Sequence, residues 1–476
     1  MVDAQTLHLL RRASYGPTPA SIRQATRLGR KTWLERQLSP SSIPDPVIDA
    51  VLTRFPELNW PISRVISTYR PTGVSWEAMR QLGYATVARA AWSERQLLEQ
   101  MVEFWSNHLN ITNFASETWT SRAHYDRVAI RRHALGSFDD LLVAASLHPA
   151  MLQYLNNATS TKVDPNENQG RELLELHTVG VGAGYTEADV RDSARILTGF
   201  GIDDVTGATV FHPGDHDVSA VQVLGFSSPN SSAADGAAVA VAYLRYLAHH
   251  RATAAAISHK LAVRFVADDP PQSLVKALTA TYLKHDTAIV PVLRQLFHSA
   301  EFAAAAGRKV RRPYEDLIAT VRVLELGPDS KGTTGIKALY RTLNGMGQAP
   351  LYWSAPDGYP DVAPAWQSAA GTLARWNAHF NLATRTTPKT LTGPALHLVL
   401  PAKLPATHGE LLDLLAKRIL LQKLTAKTKV VICRFLSGNG KTIVPSTPLT
   451  RHSALVGSRL PHVVALLLDS PLHALR

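Results

Sequence analysis

The chain has 476 residues, 45% hydrophobic and 18% charged, a globular composition that excludes disordered and fibrous classes. Its single cysteine, Cys433, excludes an internal disulfide framework and a multi-cysteine zinc site. The formal charge of +12 is concentrated, because residues 381–476 hold 13 Lys/Arg against 3 Asp/Glu, a surplus of +10.

Taken in chain order, residues 6–38 read as two short helices around a turn cluster, Ser14 to Pro19. Residues 40–61 are proline-rich and expected to be irregular. Residues 76–111 favour one long helix, with no internal proline and only Gly83 to weaken it. Residues 121–147 read as a helix pair broken near Gly136. Asp164-Pro165 precedes a helix over about residues 166–179 that Gly180 closes. Thr186-Glu187-Ala188-Asp189 reads as a capping box for a helix reaching about Gly199. Residues 203–229 are the one candidate β-hairpin region, and residues 233–326 return to helices. A Gly/Pro/aromatic loop follows at 345–364, and residues 388–405 suit a linker to basic C-terminal helices.

The expected fold class is therefore mostly α: a large multi-helix single domain with a small β-hairpin or loop insertion and a basic helical C-terminal region. Residues 1–387 would form the main helical domain, and residues 388–476 the basic region, either separate from it or part of it. No run of about 18 uninterrupted apolar residues occurs, so no membrane span is expected. Arg11-Arg12 is a twin arginine without the apolar stretch of an export signal after it. The sequence reads as cytoplasmic, or as exported if an N-terminal signal is missing from it. The basic surplus suits nucleic acid, anionic lipid or an acidic partner. No interleaved aromatic row accompanies it as a base-stacking platform requires, so nucleic acid is disfavoured and a solvated surface is the plainer expectation.

Four pieces carry a family resemblance. The first is His8-Leu9-Leu10-Arg11-Arg12-Ala13 leading into Tyr15-Gly16-Pro17-Thr18. The second is Met101-Val102-Glu103-Phe104-Trp105-Ser106-Asn107-His108. The third runs from Asn166-Glu167-Asn168 through Arg171-Glu172-Leu173-Leu174-Glu175-Leu176 to Thr178-Val179-Gly180. It continues into Tyr185 to Val190 and Leu197-Thr198-Gly199. The fourth joins Gly345-Met346-Gly347-Gln348-Ala349-Pro350 to Gly358-Tyr359-Pro360. In this order they resemble the bacterial family catalogued as domain of unknown function 1800. The resemblance implies a largely helical fold, genomic company with a second family (domain of unknown function 1501) as partner, and no agreed activity. The chain departs from the pattern at Ser106, where the family suggests a second histidine, and at Tyr359, where tryptophan is usual.

The chemistry-bearing candidates follow from helical phase. On the 166–179 helix, Asn168, Glu172 and Glu175 share a stripe, and two carboxylates a turn apart can bind a cation or divide an acid–base task. Glu172 borders apolar neighbours and is expected to be buried with a partner. Glu167, Arg171 and Glu175 equally suit a surface ion-pair ladder. His108 shares a face with Leu97, Met101, Phe104 and Trp105 and points inward, as a core histidine or a ligand. The polar loop around His212, Asp215, His216 and Asp217 suits a metal or a plain turn, and the His216-Asp217 pair matches the family. Cys433, in an apolar run, is expected to be a buried inert thiol. Residues 438–442 resemble the tail of a phosphate loop without its first glycine.

Two functions stay open. One is a metal-dependent enzyme, oxidising or hydrolysing, with a polar pocket between the Trp105–His108 helix and the Glu172 helix. Glu172, Glu175, His108 and Arg171 would be catalytic, and His108, Glu172, His216 and Asp217 would hold a divalent metal. The other is a non-enzymatic partner or assembly protein in which these residues form a structural polar network.

Overall fold

A computed structural model describes residues 2–71, 73–438 and 442–476, so most of the segment resembling a phosphate-loop tail, Lys441 included, lies outside the described residues. The chain is mostly α-helical, at 60% helix, and its described strands form three two-stranded ribbons. Several helices start where a side chain satisfies free backbone N–H groups. Asp3, Thr18, Asn166, Thr186 and Thr407 do this for Ala4–Ala13, Pro19–Leu28, Glu167–Glu172, Glu187–Ile196 and His408–Ile419. The capping box at Thr186 forms as its sequence predicts.

The long helix expected over residues 76–111 is two, Trp76–Trp92 and Gln96–His108. Asp45 makes the break. Its carboxylate accepts from the Ser93 hydroxyl at 2.5 Å and the Glu94 N–H at 2.9 Å, which competes with the helical ladder. The 166–179 helix is α only over Glu167–Glu172 and widens to a π-turn at Leu173–His177. A second π-turn, Asp126–Arg131, lies in the 121–147 helix pair. Where one hairpin was expected there are two, Phe200–Ile202 with Thr209–Phe211 and Val221–Val223 with Phe226–Ser228.

Buried apolar side chains form two cores. The first runs from Leu9 to Ala305 and includes Met101, Trp105, Phe138, Leu174, Leu261 and Phe265. The second joins Leu82 and Val87 to Leu317, Leu339, Leu382, Leu412 and Leu467. Residues on both sides of position 388 thus share one core. The expected linker itself adds the strand Leu391–Thr392 beside Gly327–Asp329. Cys433 is fully buried and free, and burial raises its thiol pKa. Among the described residues no helix is long and apolar enough to cross a membrane.

Candidate functional site

The helix Gln96–His108 separates two chemistries. Leu97, Met101 and Trp105 face the first core. Glu99, Glu103, Ser106 and Asn107 fall in a polar stripe at steps of three and four, which a pitch of about 100° per residue places on one side. That side walls a cleft at the seam of the two cores, where Val102 of the first core meets Tyr314, Ala349 and Leu351 of the second. Glu103, Ser106, Asn107, Asp126, Gln348 and Tyr359 also line it, and the cavity is narrow, about 40 Å³. Seams between packed units are favoured ligand sites.

The far wall is stapled to the helix by asparagines. Asn107 accepts the Tyr359 N–H at 2.7 Å and donates to the Tyr359 carbonyl at 2.8 Å. Asn110 donates to the Ala355 carbonyl at 2.7 Å. Gly358 permits this approach: its φ is +75°, and a Cβ there would stand 2.1 Å from the Asn107 carbonyl oxygen. Gln348 accepts the Tyr314 N–H at 3.0 Å, and the Tyr314 ring meets the edge of Tyr15 at 5.3 Å. Tyr15 is tied back to the helix by its N–H to Gln96 Oε1, 3.0 Å. Ser106 Oγ is buried without a hydrogen-bond partner among the described residues. Of the four pieces carrying the family resemblance, three therefore meet around this cleft, through Tyr15, Glu103–Asn107 and Gln348–Tyr359.

Behind the cleft lies a buried charge network. Arg264, 1% exposed, reaches Glu103 at 2.6 Å, Glu315 at 3.0 Å and Asp361 at 3.2 Å. Arg312 reaches Glu103 at 3.0 Å and Glu315 at 3.2 Å, and Arg476 reaches Glu315 at 3.0 Å. Lys309 joins Asp268 at 2.7 Å to Asp361 at 3.3 Å. Four cations thus face four carboxylates, the condition under which buried charge is tolerable. Glu103 is the member that also lines the cleft, with 14% of its side chain exposed. Both arginines hold its Oε2, and Oε1 is left free of protein hydrogen bonds among the described residues. Burial pushes the Glu103 carboxyl up to about 7; Arg312 opposes this, and Asp361 and Glu315 add repulsion. Asp361, against the cost of burial, is held below the usual range by Arg312 and Lys309.

The opposite side of the same helix holds His108. Its Nε2 lies 3.0 Å from the His177 carbonyl and donates to it, so Nδ1 accepts from Lys260 Nζ at 2.9 Å. Lys260 also donates to the Leu176 carbonyl at 3.2 Å. Burial, then Lys260 and His177, holds the His108 pKa well below its usual value. Burial lowers Lys260 to about 8, opposed by Asp357. The expected meeting of the Trp105–His108 and Glu172 helices occurs, but His177 and Lys260 fill it. Both nitrogens of His108 are engaged by protein groups.

The other sequence candidates lie elsewhere. Glu172 is half-buried rather than buried, and burial, Glu175 and Asp357 raise its pKa against Arg171. Arg171 pairs with Glu167 at 3.4 Å, Glu175 at 3.5 Å and Glu187 at 2.6 Å, which is the surface ion-pair ladder. His216 is buried with Nδ1 3.0 Å from the Thr198 carbonyl and Nε2 3.0 Å from Asn230 Oδ1. Asp217 pairs with Arg195 at 3.3 Å. The metal set His108, Glu172, His216 and Asp217 does not converge: among the described residues one group of three or more such side chains places its ligand atoms within 4.8 Å of one another, and it is Asp316, His379 and His473.

Sequence reasoning quoted Glu103 in a motif but passed over its chemistry. The available signal was the stripe of Glu99, Glu103, Ser106 and Asn107 on a helix whose other faces are apolar. No curated protein and no solved structure matches the chain. A family model does, over residues 8–475, nearly its full length, and the chain belongs to the family described as "Protein of unknown function (DUF1800)".

Proposed function

We propose that the protein is an enzyme performing general acid–base chemistry in the seam cleft, with Glu103 moving the proton. The observation that carries this reading is a cleft lined by two family motifs, with Tyr15 of a third packed against its Tyr314 wall, that holds a mostly buried carboxyl with one free oxygen. A carboxyl whose pKa lies near the working pH is both a competent base and a competent acid. The mostly apolar walls and the internally balanced charge behind Glu103 suit an uncharged, slender substrate with one polar reacting group, and hydrolysis is the reaction class favoured. Asn107 and Gln348 hold the walls rather than the substrate. Lys260 and His108 brace the far side of the same helix.

The test is a panel of neutral esters, lactones and amides assayed across pH about 5–9. A base with this pKa gives turnover that rises through about pH 7. Glu103→Gln should lower kcat by roughly a hundredfold or more while circular dichroism is unchanged. Equal turnover in the folded variant would overturn the assignment.

A second reading has its own observation. Leu373, Trp376 and Phe380 are 57%, 48% and 40% exposed at one-turn and two-turn spacing on the helix Ala369–Thr384. The Phe380 ring meets His462, which meets Phe435, 39% exposed. Such a stripe suits a docking face for a partner protein, with the companion family, domain of unknown function 1501, as the candidate. Co-purification that survives in wild type and is lost in Trp376→Glu with Phe435→Glu would support it. Binding indifferent to both changes would remove it.

A further inference from the structure

The helix Pro313–Val323 fans three consecutive side chains to three destinations. Tyr314 lines the cleft, Glu315 enters the charge network, and Asp316 points into a separate buried cluster. There Asp316 Oδ2 is 3.1 Å from His379 Nε2, and Asp316 Oδ1 is 3.5 Å from His473 Nε2. All three side chains are buried. No spacing in the sequence marks this cluster, whose members come from three distant helices, Pro313–Val323, Ala369–Thr384 and Pro471–Ala474.

The hydrogen bonding in this cluster is incomplete. His379 Nδ1 is 2.8 Å from Asp469 Oδ1 and donates to it, which turns the Nε2 lone pair of the neutral ring toward Asp316. Yet among the described residues Nε2 and both Asp316 oxygens are buried without an aligned hydrogen bond, although Nε2 and Oδ2 nearly touch. Two acceptors facing each other at this range need a cation between them. One ligand atom from each of the three residues lies within 4.8 Å of the others, which a shared ion would draw closer, since ligands about 2.1 Å from a tetrahedral ion stand about 3.4 Å from one another. The outer arrangement also fits, since a metal-bound imidazole commonly donates its second N–H to a carboxylate, as His379 does to Asp469. The Thr320 hydroxyl donates to the Asp316 carbonyl at 3.0 Å and so accepts from His473 Nε2 at 3.0 Å, a proton that a bound metal would displace. A crevice lined by Arg11, Pro17, Arg311, Leu472 and His473 offers a way in.

We propose that Asp316, His379 and His473 bind one divalent transition-metal ion of the zinc class, with Asp469 orienting His379. The site is closed and joins three helices, so its role is structural: it fastens the C-terminal segment to the helix that carries Tyr314 and Glu315. Binding replaces the proton on His473 Nε2 and any proton shared by His379 and Asp316, and is therefore favoured by rising pH. The rival state is a metal-free ion pair in which a protonated His379 bridges Asp316 and Asp469. Burial opposes that proton and the two carboxylates hold it, raising His379 to about 9. Arg375, 3.9 Å from Asp316, and the buried Arg311 favour the rival by lending positive charge.

The experiment uses the full chain, stripped with chelator and titrated with cobalt(II) and zinc(II). The expected result is one equivalent of metal bound, an intense visible band for tetrahedral cobalt, and a melting temperature raised by metal. His473→Gln and Asp316→Asn should lose all three effects. Metal bound at full stoichiometry in both variants would place it elsewhere and overturn the assignment. If the variants fail to fold, the wild-type titration still decides: no cobalt band, or a bound ion that leaves melting unchanged, overturns the proposal.

Discussion

Replacing Arg264 by methionine tests whether the charge network holds the two cores together. Arg264 is 1% exposed and touches Glu103, Glu315 and Asp361 at 2.6, 3.0 and 3.2 Å. Removing it turns a four-against-four balance into one surplus buried negative charge. Breaking a buried pair costs about 3–5 kcal/mol. No carboxylate is left alone, because Arg312 still reaches Glu103 and Glu315 and Arg476 still reaches Glu315. The lower end, about 3 kcal/mol, is therefore expected. The loss should also depend on pH in a defined direction. Glu103 already binds its proton more tightly when folded than when unfolded, and losing Arg264 tightens it further. A carboxyl raised in this way contributes stability below its unfolded pKa and loses it as pH rises through the folded value, about 7 in wild type. The variant should thus be less impaired at mildly acidic pH than above neutrality. Urea unfolding on both sides of neutral pH reads the difference. A penalty below about 1 kcal/mol, or one independent of pH, would refute the network as described.

Other predictions are separate in the molecule. Glu103→Gln should flatten the fall in stability that wild type shows as pH rises from about 4.5 to about 7, because the titrating group is gone; unchanged urea profiles would count against its raised pKa. Lys260 binds its proton less tightly when folded, so between about 8 and the ordinary lysine value of 10.5 the unfolded chain holds more protons and stability rises with pH. Lys260→Met should abolish that rise and cost about 1–3 kcal/mol at neutral pH by stranding His108 Nδ1 and the Leu176 carbonyl, as chemical denaturation would show. Gly358→Ala should detach Tyr359 from Asn107, since its Cβ would stand 2.1 Å from a backbone oxygen; the readout is faster proteolysis within residues 345–364, and protection equal to wild type would contradict it.

The fold class was legible because it rests on local signals: helical phase, caps such as Thr186, and the Gly/Pro punctuation around residues 345–364. Failures came where tertiary contacts override such signals. The break at Ser93 has a local mark, Ser93-Glu94-Arg95-Gln96 before Leu97, and Ser93 Oγ accepts from the Arg95 N–H at 3.0 Å; the carboxylate that fixes it, Asp45, lies far away in sequence. The π-turn at Leu173–His177 shifts the phase that a regular helix would give, and places the His177 carbonyl on the His108 ring nitrogen. His108 was legible as inward-facing, but its partner, Lys260, comes from a helix that carried no motif. Glu103 was visible only as one member of a polar stripe. Its four-cation, four-carboxylate surroundings draw on residues from 103 to 476, beyond any periodicity. The Asp316, His379 and His473 cluster has no sequence spacing to betray it for the same reason.

If Glu103 moves the proton in the cleft, its carboxyl must gain and lose one near neutral pH. Infrared difference spectroscopy of wild type against Glu103→Gln, followed across a pH titration, measures this without a known substrate. Wild type should show a protonated-carboxyl band that disappears with a midpoint of about 7 and is missing from the variant. A wild-type spectrum in which no carboxyl band titrates above the ordinary glutamate range, about 4.3, would contradict it.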